Sequence, residues 1–296
     1  MHSSLGSINT RTSVRSYDGA PLRTEDLEAI RKAFEDSIPT PFGNRPRFAI
    51  VSAPSAGMGT SEAMDEVPRT RSGKIGTYGL IKNAPAFVIG AVAKAPFALE
   101  DFGYALEGII LRATELGLGT CWIGGIFDRP AARRALNIAD GELLPAVVSI
   151  GRAADRMSFA EKITRLAAKS ESRKPFGSLF YEGNFENPLS PEKAGAWAAV
   201  LEAVRKGPSA SNKQPWRIVC EGVSTAAPVF HLYLEEDPFY NNALGEIHIQ
   251  NIDMGIAMRH FETAAHALNL PGLWGRLPND LSGAVPPRSY IATWRA

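Results

Sequence analysis

Two stretches of this chain, 152 residues apart, carry the same residues in the same places, and that spacing limits the available folds more than any other feature. From Asp101 to Trp122 and from Asp253 to Trp274 the register holds without a gap. Asp101 and Asp253, Gly103 and Gly255, Ala105 and Ala257, Ala113 and Ala265, Leu116 and Leu268, Leu118 and Leu270, and Trp122 and Trp274 are identical pairs. Seven identities in such a window stand against roughly one or two from ordinary composition. In the first stretch Phe102, Ala105, Ile109, Ala113 and Leu116 step by three and four, the spacing of a buried helix.

The flanks repeat as well. A helix is predicted from Thr24 to Phe34, with Thr24 as its cap, Glu25 and Asp26 at the positive end of the dipole, and Leu27, Ile30 and Phe34 on one face. A similar helix begins at Ser190, with Pro191 as its first helical residue and Ala194, Trp197, Leu201 and Val204 as the apolar stripe. Each leads through a Pro/Gly/Asn-bearing loop to a β-like run, Arg47–Ser52 in one case and Trp216–Cys220 in the other. The chain reads as one unit written twice, residues 1–180 and 181–296, joined in the polar stretch 155–185 that carries Lys169, Glu171, Arg173 and Lys174.

Composition removes several classes of function. Of 296 residues, 32 are Lys or Arg and 31 Asp or Glu, so no basic surplus exists to neutralise phosphates, and nucleic acid is not expected as a main partner. Cys121 and Cys220 are isolated from each other and from histidines at metal spacing, which excludes a disulfide framework and a structural metal site. The start, MHSSLGSINTRTSVRSY, lacks the apolar run of a signal peptide. The most apolar stretch, Ala84–Leu99, is broken by Lys94, Pro85 and Pro96 and falls short of the ~20 residues of a membrane span. The expectation is a soluble cytoplasmic protein with reduced thiols and no membrane partner.

The two halves differ where a site would be. Arg11–Tyr17 (RTSVRSY) precedes the first helix and has no counterpart before the second. Arg11, Ser13 and Arg15 alternate, so an extended backbone turns two guanidinium groups and a hydroxyl to one side, a set that can hold a phosphate and that also suits a solvated strand. Gly207–Trp216 (GPSASNKQPW) belongs to the second half; the first offers only TPFGNRPRF at 40–48. Its small polar residues allow close approach of a ligand, or simply a connecting loop. Gly117–Gly125 (GLGTCWIGG) reads as a glycine-rich turn after the helix, open to a flat ring system or serving as an ordinary helix end. Cys121 falls in that turn as a small buried residue.

Gly73-Lys74 is followed by Ile75, so no P-loop is present, and Gly117 and Gly119 follow a helix rather than a strand, against a dinucleotide fingerprint. H-E-x-x-H and G-x-S-x-G do not occur. His231, His248, His260 and His266 are scattered, and His260 reads as a packed or surface helix residue. Without a general acid or nucleophile, the chemistry would belong to a cofactor.

Taken together, R-x-S-x-R at Arg11, Ser13 and Arg15, P-S-x-x-N-x-Q-P-W at Pro208–Trp216, D-x-G-x-A from Asp101 leading into G-L-G-T-C-W-I-G-G, and S-R-K-P at Ser172–Pro175 resemble the FMN-dependent nitroreductase family. Lys74–Gly79 is similar to its single-chain branch, in which two halves are fused into a pseudo-dimer. The resemblance implies an α+β, three-layer fold with a mainly antiparallel sheet flanked by helices, internally duplicated, with the two Asp-to-Trp helices at the centre. It implies FMN bound by Arg11, Ser13 and Arg173 at the phosphate. Arg15 would lie near the ribityl chain and the pyrimidine edge, where a fixed positive charge favours the reduced ring. Pro208, Ser209, Ala210 and Asn212 would line the dimethylbenzene and ribityl side, and the backbone of Ile123, Gly124 and Gly125 would face N5. Many relatives carry an acidic residue where this chain has Gly124. The implied activity passes hydride from NADH or NADPH through the flavin to a small acceptor such as a nitroaromatic or quinone. Reductive dehalogenation, oxygen-dependent chemistry and non-enzymatic FMN binding are the alternatives. One complete site per monomeric pseudo-dimer is implied, the second site lacking the arginine arm and staying empty.

Overall fold

The computed structural model describes residues 5–53, 77, 79–155, 172–225, 227–237, 245–277 and 288–296. Lys74, Ile75, Gly76 and Tyr78 of the Lys74–Gly79 motif, and Lys169 and Glu171 of the polar join, lie outside the described residues. The first part of the chain forms α1 (Leu5–Thr10), α2 (Thr24–Asp36), β1 (Arg47–Ser52), β2 (Ala86–Ala93), α3 (Ala98–Glu115), β3 (Gly119–Ile123), α4 (Arg129–Ala135), β4 (Glu142–Leu143) and β5 (Val147–Gly151). The second forms β6 (Phe180–Glu182), α5 (Pro191–Ala194), α6 (Ala198–Lys206), β7 (Trp216–Glu221), β8 (Val229–Glu235), α7 (Ile249–Ala267), β9 (Leu273–Gly275) and β10 (Arg288–Arg295).

The fold is α+β, with its strands divided between two sheets. One has the order β1-β2-β5-β3, with β4 added along β2; the other has the order β6-β7-β8-β10-β9. Reading β7 for β1, β8 for β2, β10 for β5 and β9 for β3 turns β1-β2-β5-β3 into β7-β8-β10-β9, to which β6 is added at the edge; β4 and β6 have no counterparts in this reading. All these pairings are antiparallel except that of β6 with β7, which is parallel. Residue 180, where the halves were divided on sequence, is the first residue of β6, so that strand belongs to the second sheet.

The anticipated central helices are α3 and α7, and the repeated glycines are where they cross. A β-carbon on Gly103 would stand 2.2 Å from the Ile252 carbonyl oxygen, and one on Gly255 would stand 1.9 Å from that of Glu100. Only bare backbone fits at either place. Each core reaches across this crossing. Phe102, Leu106 and Ile109 of α3 pack with Leu27, Ile30, Val88 and Val148, joined by Ile252 and Ile256 of α7. Met254, Met258 and Phe261 of α7 pack with Leu201, Trp216, Phe230 and Trp294, joined by Tyr104 and Leu111 of α3.

Three local readings are corrected. Gly119–Ile123 is a strand rather than a turn, because its backbone pairs along β5 from Gly119 opposite Gly151 to Ile123 opposite Val147; Cys121 is buried within it. The helix begun at Ser190 does not run on to Val204: Ser190 Oγ accepts the Lys193 N–H at 3.3 Å, but Gly195 takes φ 54° and breaks the helix before α6. Thr24 is the first helical residue, and the cap position falls to Arg23, which makes no side-chain cap bond. No helix among the described residues is long and apolar enough to cross a membrane.

Candidate functional site

The arginine arm is laid down by the edge of β3. After α1, the Val14 N–H donates to the Thr120 carbonyl at 2.8 Å and Ser13 bridges Thr120 in parallel. A β-carbon on Gly119 would stand 2.7 Å from the Val14 side chain, so this glycine lets the arm lie close. Further along, the Arg15 carbonyl accepts the Lys82 N–H at 2.8 Å, and the Tyr17 hydroxyl donates to the Val14 carbonyl at 2.8 Å. Arg11 therefore leaves the end of α1 at one end of the arm, with Ser13 and Arg15 following along β3.

The loop between α6 and β7 supplies the opposite wall. Ser211, Asn212 and Gln214 all take positive φ, at 46°, 55° and 48°. Three non-glycine residues in that region within four positions mark a conformation held by its surroundings. Ser209 Oγ accepts the Gln214 N–H at 2.9 Å, and the Asp253 carboxylate on α7 accepts the Ala210 N–H at 3.0 Å. Pro208 opens this loop and Gln214 closes it. The Gln214 amide donates to the Asn212 carbonyl and to Asn212 Oδ1, both at 3.1 Å, and its Oε1 accepts the Lys174 N–H at 2.8 Å. Gln214 is thus a latch between the loop and the 172–175 segment. It stands in the quoted motif, but the sequence reading gave it no role.

That latch places Arg173. Its Nη1 donates to Asn212 Oδ1 at 3.2 Å and its Nη2 to the Lys206 carbonyl at 3.1 Å, while Asn212 Nδ2 donates to the Ser172 carbonyl at 2.8 Å. Burial holds the Arg173 guanidinium below its ordinary value, and the neighbouring charges of Arg11 and then Arg205 push the same way. Arg11 and Arg173, 162 positions apart in sequence, are therefore close enough to repel. The Arg11 side chain is 6% exposed, and among the described residues its Nε meets no hydrogen-bond acceptor. Among the described residues the nearest carboxylate oxygen, Glu107 Oε1, is 3.9 Å away. A buried guanidinium with an orphaned N–H and a half-buried one close enough to repel it are the donor set an oxyanion completes.

Just past the end of β3, Gly124 is covered by a side chain and Gly125 is open. The Gly124 carbonyl accepts Arg129 Nη2 at 2.7 Å, and a β-carbon there would meet Ile249 Cδ1 at 2.4 Å. Nothing lies within 4 Å of where a Gly125 β-carbon would be. Ile123 is buried and Ile126 is exposed. The structure thus brings Arg11, Arg173 and Asn212 together and sets Ser13, Arg15 and Ile123–Gly125 along β3. Two open surface clefts, one lined by Trp197, Val223 and Pro271 and the other by Leu273, Trp274 and Arg295, contain none of these residues. Among the described residues no group of three or more side chains could hold a metal ion.

The matching region of the other half is built on the same anchor but filled. Asp101 accepts the Phe42 N–H at 3.0 Å and the Asn44 N–H at 2.9 Å, as Asp253 holds the loop at Ala210. At the 152-residue offset Arg276 matches Gly124 and Phe97 matches Ile249. Here the Arg276 guanidinium lies over the Phe97 ring at 4.5 Å, and Phe42 stacks against Phe97 at 4.7 Å.

Burial pushes the Asp253 carboxyl well above its usual range, against the opposing effect of the Ala210 N–H. A carboxyl raised on folding contributes stability in full below its unfolded value of about 3.9, and that contribution is lost as pH climbs through the raised folded value. Asn at this position stays neutral throughout. Thermal midpoints of the parent and Asp253→Asn should coincide near pH 4 and separate toward pH 8, with the variant higher. A constant difference across that range would show that Asp253 is not the titrating group.

The sequence pattern of a family described as "Putative TM nitroreductase" matches residues 5–265, which include all of the first sheet, β6–β8 of the second and every residue of the assembled site. The chain belongs to this nitroreductase family. A protein of Archaeoglobus fulgidus described as "Putative NADH dehydrogenase/NAD(P)H nitroreductase" is 30% identical over 172 residues, covering 54% of this chain and 91% of its own length. A protein of Methanothermobacter thermautotrophicus with the same description is 28% identical over 160 residues, covering 51% of this chain and 78% of its own. Among solved structures, a "putative nitroreductase" of Thermotoga maritima covers 100% of this chain and 94% of its own, with a TM-score of 0.52 at 17% identity. That likeness shows the nitroreductase fold running through both halves.

Proposed function

We propose that this chain is an FMN-dependent oxidoreductase that takes hydride from NADH or NADPH and delivers it to a small organic acceptor of the nitroaromatic or quinone class. The observation that carries this reading is the meeting of Arg11, Arg173 and Asn212, with the Arg11 Nε left without an acceptor among the described residues. The residues present fit the cofactor. Arg11 and Arg173 would grip its phosphate, with Ser13 beside them on the arm. Pro208, Ser209, Ala210 and Asn212 would bound the ribityl and dimethylbenzene side, Arg15 would face the pyrimidine edge, and the backbone at Ile123–Gly125 would lie along the ring. When bound, FMN supplies the two-electron carrier that passes hydride between donor and acceptor. The named relatives, described as NAD(P)H nitroreductases, support a nicotinamide as donor.

The repeated strand order and the glycine crossing support a fused pseudo-dimer, 1–180 with 181–296, holding one site per chain. In the counterpart region Arg276, at the offset position of Gly124, packs on Phe97, which Phe42 also contacts. The test is the visible spectrum of protein saturated with FMN and then treated anaerobically with NADPH or NADH. One flavin per chain that bleaches with either nicotinamide is the expected result. A bound flavin that neither reduces would replace the enzyme reading with an FMN carrier, and two flavins per chain would overturn the single-site assignment.

A further inference from the structure

Glu107 on α3 and His260 on α7 meet between the two halves, each side chain 0% exposed. His260 Nδ1 lies 2.9 Å from the Ala203 carbonyl oxygen, and its Nε2 lies 2.8 Å from Glu107 Oε1. A carbonyl oxygen can only accept, so Nδ1 carries a proton. A second proton lies between Nε2 and Oε1, because two lone pairs would repel at that separation. Whichever atom holds it, the Glu107–His260 pair as a unit has no net charge. The other carboxylate oxygen accepts the Trp122 indole N–H at 2.8 Å. Both oxygens of Glu107 are therefore engaged before Arg11 is considered, and Arg11 Nε stands off at 3.9 Å, outside hydrogen-bond reach.

An unbalanced carboxylate at that distance, in a water-poor interior, would offset much of the positive potential that Arg11 presents to an anion. The geometry points to His260 as a positioning residue for ligand choice: by balancing Glu107 it leaves the positive charge of Arg11 unopposed and its Nε open to an incoming phosphate. It thereby sets the preference for a phosphorylated flavin over the same ring system without phosphate. This inference rests on the reading that Arg11 holds the FMN phosphate.

The test measures dissociation constants of FMN and of riboflavin by flavin fluorescence quenching, for the parent and four variants. His260→Gln keeps an N–H toward Glu107 but brings no charge. It should weaken FMN at least about tenfold while riboflavin stays within about twofold. Glu107→Gln removes the carboxylate and should hold FMN affinity within about threefold, and the double variant Glu107→Gln/His260→Gln should recover FMN binding to the same level. A role in packing alone would weaken both flavins together and would not be rescued by the second substitution; either result overturns the inference, as does an unchanged FMN-to-riboflavin ratio in His260→Gln. Should that variant not fold, His260→Asn, which keeps a donor toward Ala203 instead, is held to the same expectation. Arg11→Ala reports on the underlying reading. If it leaves the FMN-to-riboflavin ratio at the parent value, the phosphate assignment fails; if it abolishes the preference while the His260 variants do not, only the His260 inference fails.

Discussion

A single methyl group at position 255 will cost this protein at least ~3 kcal/mol, the upper end of the range for overpacked cores. The β-carbon of Gly255→Ala would be driven to 1.9 Å from the Glu100 carbonyl oxygen and 2.6 Å from the Tyr104 nitrogen. Both are backbone atoms in α3 and cannot swing aside as a side chain would. Relief requires α3 and α7 to move apart, and that opens both cores, because Ile252 and Ile256 reach into one and Tyr104 and Leu111 into the other. Measured against a typical total stability of ~5–15 kcal/mol, the loss is severe. The thermal midpoint should fall by roughly 5 °C or more. Gly103→Ala, facing the Ile252 carbonyl at 2.2 Å, should behave alike. Gly141→Ala, with nothing within 4 Å, is the control and should be nearly silent. Equal midpoints for Gly255→Ala and Gly141→Ala in a calorimetric scan would remove the crossing from the account of the fold.

Arg11→Ala should release flavin while leaving the fold intact. Charged hydrogen bonds are worth ~1.5–3 kcal/mol, so FMN should bind roughly 10- to 150-fold more weakly, with far-UV circular dichroism and thermal midpoint close to the parent. Arg173→Ala should lose as much FMN affinity and also loosen the loop, since Asn212 Oδ1 loses one of its two donors and the Lys206 carbonyl loses the Arg173 N–H. Calorimetric titration with FMN separates the two effects when repeated with riboflavin: Arg11→Ala should spare it, and Arg173→Ala should not. Unaltered FMN affinity in Arg11→Ala would send the search for the phosphate site elsewhere.

The fold was legible where it left a periodic trace. The 152-residue repeat located both central helices, and its identical residues include the glycines at their crossing. Arg11, Arg173 and Asn212 were legible through motifs, since each stands in a short run of fixed spacing. Gly119–Ile123 was misread because two glycines resemble a turn, whereas the strand is imposed by β5 alongside it and by Val14 lying over Gly119. The break at Gly195 was hidden because its neighbours continue the apolar stripe. The Glu107–His260 pair left no local signal. Glu107 reads as a polar interruption of a buried helix face, and its partner is 153 positions away on another helix. Gln214 was visible in sequence, but its bond to the Lys174 backbone depends on how a distant segment is routed.

Arg276 standing in the place of Gly124 changes what a single substitution can do. In an assembly of identical subunits every replacement appears twice, so a residue that improves one pocket is also forced on its twin. In this chain position 124 stays bare while position 276 carries a guanidinium packed between the rings of Phe97 and Tyr290. On the proposed single-site reading, one face can be refined for binding and the other hardened into structural filling, each at its own codon.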